Sequence, residues 1–63
     1  MADYKYEKLT RLNRVVVYKD GELVTVIEKF KHPMFNKTYY RIPENGEVFR
    51  GIKEAKKYVE ENF

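Results

Sequence analysis

Asp20-Gly21 stands between two β-branched runs, Val15–Val17 and Leu23–Ile27, and this short stretch commits the first half of the chain to a hairpin. Aspartate and glycine tolerate the positive φ angles that a tight two-residue turn demands. Such a turn sets Lys19 opposite Glu22, Tyr18 opposite Leu23, Val17 opposite Val24 and Val15 opposite Val26. A three-residue turn with a bulge at Gly21 shifts the register by one, and both registers are open to the sequence. In the first, one face carries Val15, Val17, Val24 and Val26. The other carries Val16, Tyr18, Leu23 and Ile27, with Arg14 and Thr25. Two apolar faces on one hairpin call for two covers.

Residues 31–36, KHPMFN, read as a connection, because Pro33 cannot donate to a ladder and restricts His32 before it. Lys37–Ile42 reads as a further strand, rich in Thr, Tyr and Ile. Pro43-Glu44-Asn45-Gly46 is a turn, and Glu47–Arg50 a short strand returning from it. A four-residue turn pairs Ile42 with Glu47, Arg41 with Val48 and Tyr40 with Phe49. One face then holds Thr38, Tyr40, Ile42 and Phe49, and the opposite face Lys37, Tyr39, Arg41, Val48 and Arg50. Ile52, Ala55, Tyr58, Val59 and Phe63 recur at helical spacing behind Gly51 as N-cap, with Glu54 in the first turn.

The expected architecture is therefore α+β: an antiparallel sheet of three or four strands with one C-terminal helix packed on one face. Its expected core is Val15, Val17, Val24, Val26, Tyr40, Ile42, Phe49, Ile52, Ala55 and Val59. Residues 1–63 form a single small domain. Within it, residues 3–12, with Tyr4, Tyr6, Leu9 and Leu12, are open to a fraying strand, a short helix or an arm, and residues 1–12 are an arm or a segment covering the second apolar face.

Composition narrows the function. A chain of 63 residues buries roughly 60% of the surface its unfolded form exposes, too little to enclose a deep pocket. No cysteine is present, and one histidine with two aspartates leaves little for acid–base or metal chemistry. Thr10, Thr25 and Thr38 have no histidine at a motif spacing. The expectation is a non-catalytic protein with no cofactor, no metal and no small-molecule substrate. No apolar run approaches the roughly 18 residues of a membrane span, and MADYKYEKLTRLNR lacks an apolar signal core, so the expected compartment is the cytoplasm.

The charge of +3 is unevenly spread. Residues 1–19 carry five bases and two acids, residues 20–28 three acids and no base, and residues 29–42 four bases, His32 and no acid. Lys37, Tyr39, Arg41 and Arg50 interleave cations with an aromatic on one strand face, which suits phosphate contacts and stacking on bases. Arg14, Lys29 and Lys31 extend that patch if the hairpins lie side by side. These seven are the candidate residues for double-stranded DNA.

The segment YYRIPENGEVFRGIKEAKKYVEEN resembles small DNA-binding domains in which a three-stranded antiparallel sheet is backed by one helix. Among them it is most similar to the amino-terminal arm-binding domain of tyrosine-type phage and transposon integrases. Tyr40-Arg41-Ile42, Phe49 and Glu54-Ala55 carry the likeness, over residues 37–62 only. Gly51 follows Phe49 where the family has glycine before it. The resemblance implies a mobile-element setting and a sheet that enters the major groove through Lys37, Tyr39, Arg41 and Arg50. A competing class is a protein-interaction module or homodimer, such as a small phage-type modulator, using Val16, Tyr18, Leu23 and Ile27 as its interface.

Overall fold

The computed structural model describes residues 2–63. Its strands β1 (Tyr4–Leu9), β2 (Arg14–Lys19), β3 (Glu22–His32), β4 (Lys37–Ile42) and β5 (Glu47–Phe49) are followed by the helix α1 (Ile52–Asn62). The strands pair in sequence order as one antiparallel five-stranded sheet. This is the expected α+β class with one more strand than the three or four read from the sequence. The extra strand is β1, which adds to the edge beside β2 instead of folding over a sheet face.

Asp20 and Gly21 both take positive φ, 52° and 84°, so the first hairpin turns over two residues. Lys19 faces Glu22 and Tyr18 faces Leu23, as that turn requires. The register then slips: Val17 faces Thr25, Val16 faces Val26, Val15 faces Ile27 and Arg14 faces Glu28. One extra residue in β3, Val24, absorbs the slip, so the bulge lies three residues beyond Gly21. Val24 and Thr25 both turn toward the helix, and every later residue of β3 exchanges faces. Two expectations are corrected by this. Ile27, expected on the outer face, is fully buried under the helix, and Val26, expected in the core, is half-buried on the other side.

The core is Val15, Val17, Ile27, Ile42, Ala55 and Val59, with Tyr4, Tyr6, Val24, Tyr40, Phe49 and Ile52 packed around it. Helix α1 lies on this face because Ile52, Ala55, Tyr58 and Val59 form one apolar stripe. Beyond it, Tyr58 packs on Phe49 at a ring separation of 5.2 Å and accepts a hydrogen bond from Asn45 Nδ2. The far end of α1 is tied to the first two strands. The Tyr6 hydroxyl donates to Glu60 Oε2 at 2.6 Å, and Lys19 Nζ donates to the main-chain oxygen of Phe63 at 2.6 Å. Burial, then the hydrogen bond to Glu60 and its negative charge, push the Tyr6 phenol well above its ordinary pKa. Tyr4 and Tyr6 thus serve the helix face and leave the opposite face bare.

The slip has one cost. Thr25 is 6% exposed, and its hydroxyl has no hydrogen-bond partner. A buried unpartnered hydroxyl costs on the order of 1–3 kcal/mol. Thr25→Val keeps the branched shape and removes that group. We expect it to stabilise the protein by roughly 1 kcal/mol, raising the thermal midpoint by about 4–8 °C for a domain of this size. A lower midpoint in calorimetry would show that the hydroxyl is needed.

Candidate nucleic-acid interface

Strand β3 is the longest strand, at 11 residues, and with β4 it outruns the rest of the sheet. β2 pairs with it only as far as Arg14–Glu28, and β5 reaches β4 only as far as Tyr40–Phe49. The rungs Phe30–Tyr39, Lys31–Thr38 and His32–Lys37 therefore have no neighbouring strand on either side. They form a free-standing two-stranded ribbon, with His32 about 13 Å beyond the Arg14–Glu28–Arg41 row at roughly 3.3 Å per residue. Residues 31 and 32, read from the sequence as part of a connection, belong to this ribbon.

Alternation sorts the candidate residues. Lys37, Tyr39 and Arg41 project from the face that carries no helix, as expected, and Arg14 joins them there through its pairing with Glu28. Lys29 and Lys31 pair with Tyr40 and Thr38 and so lie on the helix-side face. The expected single patch is thus corrected to cations on both faces of a ribbon. Arg50 lies outside the strands, in the bend between β5 and α1, at the ribbon's base. The alternative interface survives in part. Val16, Tyr18 and Leu23 lie on the open face, Leu23 being 61% exposed, but Ile27 is not available there.

Glu28 sits at the centre of the open face, and its position decides the electrostatics of this region. Its Oε1 accepts a hydrogen bond from Arg41 Nη2 at 2.8 Å, and its Oε2 lies 3.4 Å from Arg14 Nη2. One carboxylate thus bridges β2 and β4. The bond from Arg41, aided by the nearby guanidinium of Arg14, holds the Glu28 carboxyl below its ordinary range. Among the described residues no other acid forms an ion pair with Lys or Arg.

Two features of the site were missed from the sequence. The first is the link between β1 and β2, a single 3-10 turn at Thr10–Leu12, which brings Lys8 and Arg11 to the same end as the ribbon. Asn13, left-handed at φ 51°, closes this turn and accepts a hydrogen bond from the Lys29 N–H at 2.7 Å. The second is a row of rings on the open face of the ribbon. Phe30 stacks on Tyr39 at 5.9 Å, Tyr39 meets the edge of His32 at 6.0 Å, and His32 packs on Phe35 at 4.8 Å. The alternation Glu28, Phe30, His32 carries that signal, but it is readable only if β3 is extended past Ile27.

Together these elements polarise the molecule along its strands. Arg11, Arg14, Lys29, Lys31, Lys37, Arg41 and Arg50 gather at the ribbon end, with Glu28 among them and Glu54 in the first turn of α1. Asp3, Asp20, Glu22, Glu44, Glu60 and Glu61 lie toward the other end. Comparison of the chain with family models, with curated proteins and with solved structures gives no match. Among the described residues no helix is long and apolar enough to cross a membrane.

Glu28→Gln tests the bridge. A carboxyl with a lowered folded-state pKa contributes stability above its unfolded pKa and loses it as the pH falls through the folded value. Both arginines are about half exposed, at 49%, so the contribution is small, under about 1 kcal/mol. We expect Glu28→Gln to be slightly less stable than wild type at pH 7, and the two denaturation curves to converge well below pH 4. A gap that persists in strong acid would mean the loss has another origin.

Proposed function

We propose that this protein is a small, non-catalytic DNA-binding module that grips duplex DNA with the β3–β4 ribbon and the basic end around it. The observation that carries the reading is the concentration of seven cations at the one end where a two-stranded ribbon stands clear of the body. A ribbon of this kind is narrow enough to enter a DNA groove. With Lys29 and Lys31 on one face and Lys37 and Arg41 on the other, it can meet phosphates on both walls of that groove. Tyr39 and Arg41 are the residues best placed to reach base edges, and Arg14, Arg11 and Arg50 flank the base of the ribbon. The acidic opposite end orients the approach to a polyanion. A cytoplasmic location and a mobile-element setting accord with this reading.

A second reading is favoured by one observation. Val16, Tyr18, Leu23 and Val26 form an apolar set on the open face, and no other element among the described residues packs on it. A partner protein or a second copy of the chain would cover it.

Duplex binding is expected to weaken steeply with salt. Lys37→Ala combined with Arg41→Ala should lower the slope of log K against log[salt] by about 2, since each lost phosphate contact removes roughly 0.9. Glu28→Gln, which frees two arginines from their counter-charge, should instead tighten binding by about three-fold at low salt. No binding at micromolar protein and about 50 mM salt would reject the proposal. Sedimentation of a strictly monomeric protein would remove the homodimer form of the second reading.

A further inference from the structure

Four hairpin connections join the strands, and they differ in chemistry; the first, Thr10-Arg11-Leu12-Asn13, exposes a single leucine. Asp20-Gly21 and Pro43-Glu44-Asn45-Gly46 have the polar or glycine-rich make-up of solvated turns. The ribbon turn, Pro33-Met34-Phe35-Asn36, instead places three apolar residues at the point farthest from the core. Met34 is 82% exposed and Phe35 60% exposed, the former the most exposed large hydrophobic side chain among the described residues. A domain this short has few large apolar side chains to spare, and neither of these contributes to its core.

The turn is also braced. The Met34 N–H donates to His32 Nδ1 at 3.2 Å, and the Asn36 N–H donates to the His32 carbonyl at 3.0 Å. Asn36 takes the left-handed conformation, φ 52°, that closes the turn. Behind the tip, Phe35 rests on His32, His32 on Tyr39 and Tyr39 on Phe30. A force on the Phe35 ring is therefore passed down a column of rings to the base of the ribbon. Lys31 and Lys37 flank the tip, which sets a rigid apolar point between cations.

From this we infer that Met34 and Phe35 are a wedge that inserts between adjacent base pairs of duplex DNA, entering from the minor groove, and kinks the helix. The inference rests on the DNA-binding reading above and specifies its mode. Apolar side chains pressed between base steps partly unstack them and bend the duplex toward the major groove. The cost of unstacking is a few kcal/mol per step, and the flanking lysines offset it through phosphate contacts that the bend brings within reach. Flexible pyrimidine–purine steps such as TA are the expected sites of insertion.

The test uses the full chain and a duplex of about 25 base pairs with a central TA step, labelled at both ends for energy transfer. Wild-type protein should shorten the end-to-end distance, and 2-aminopurine placed at the central step should brighten as it unstacks. Met34→Ala with Phe35→Ala should abolish both signals and lower affinity by about ten-fold, with a shallower salt slope as the lysine contacts that depend on the bend are lost. Because both side chains are largely exposed, the thermal midpoint of this variant should match wild type, which guards against misfolding. Binding with no shortening and no brightening would overturn the wedge and leave the DNA-binding reading standing. Unchanged bending in the double variant would do the same. No binding to any duplex would overturn both.

Discussion

One extra residue in β3 determines which side chains the rest of the molecule can use. With an unbroken register, Val24, Val26 and Glu28 would share the helix-facing side, and Ile27 would be turned out to solvent. The bulge at Val24 turns Ile27 inward instead. It releases Glu28 to the open face, where two arginines meet it. Burying Ile27 and pairing Glu28 with two arginines offset the one threonine hydroxyl left unpartnered. Everything farther along β3 inherits that choice: Phe30 and His32 join Tyr39 on one face, and Lys29 and Lys31 take the other.

Much of this was legible before the structure. The Asp20-Gly21 turn, the register of β4 against β5 and the helix Ile52–Asn62 follow from local chemistry: positive-φ residues, a proline corner and an apolar stripe at helical spacing. The bulge did not follow, because both candidate faces of the first hairpin are apolar and the alternation cannot tell them apart. Strand β1 was one of three open readings of its segment, for a different reason. Tyr4-Lys5-Tyr6-Glu7-Lys8-Leu9 has the alternation of a strand, but its lysines and glutamate are those of a protected sheet edge, which also read as an arm. Of the candidate site, the positions of Lys37, Tyr39 and Arg41 were readable from β4 alone. The division of cations between two faces depended on a register that only the folded chain reveals.

The open sheet face and the ribbon divide the exposed surface into unlike regions. Near the first turn, Val16, Tyr18, Leu23 and Val26 give an apolar floor. Nearer the ribbon, arginines, rings and lysines replace it, and the carboxylate of Glu28 is the boundary between the two. Its double pairing holds the guanidiniums of Arg14 and Arg41 in fixed directions at the base of the ribbon. An acid inside a basic region thus gives order as well as counter-charge.

The sheet order also has a kinetic meaning. Strands that are neighbours in the chain are neighbours in space, so each hairpin closes over a short stretch of chain. The bonds that tie the far end of α1 to the first two strands are the exceptions: Tyr6 and Glu60 are 54 positions apart, Tyr4 and Glu60 56, and Lys19 and Phe63 44. Their closure needs the whole sheet and the helix to be in place, since Tyr6 and Glu60 stand at opposite ends of the chain. The edge strand is thereby made the last element to lock. A protein whose far edge is held by bonds between the two ends of its sequence must complete both sheet and helix before that edge is secured.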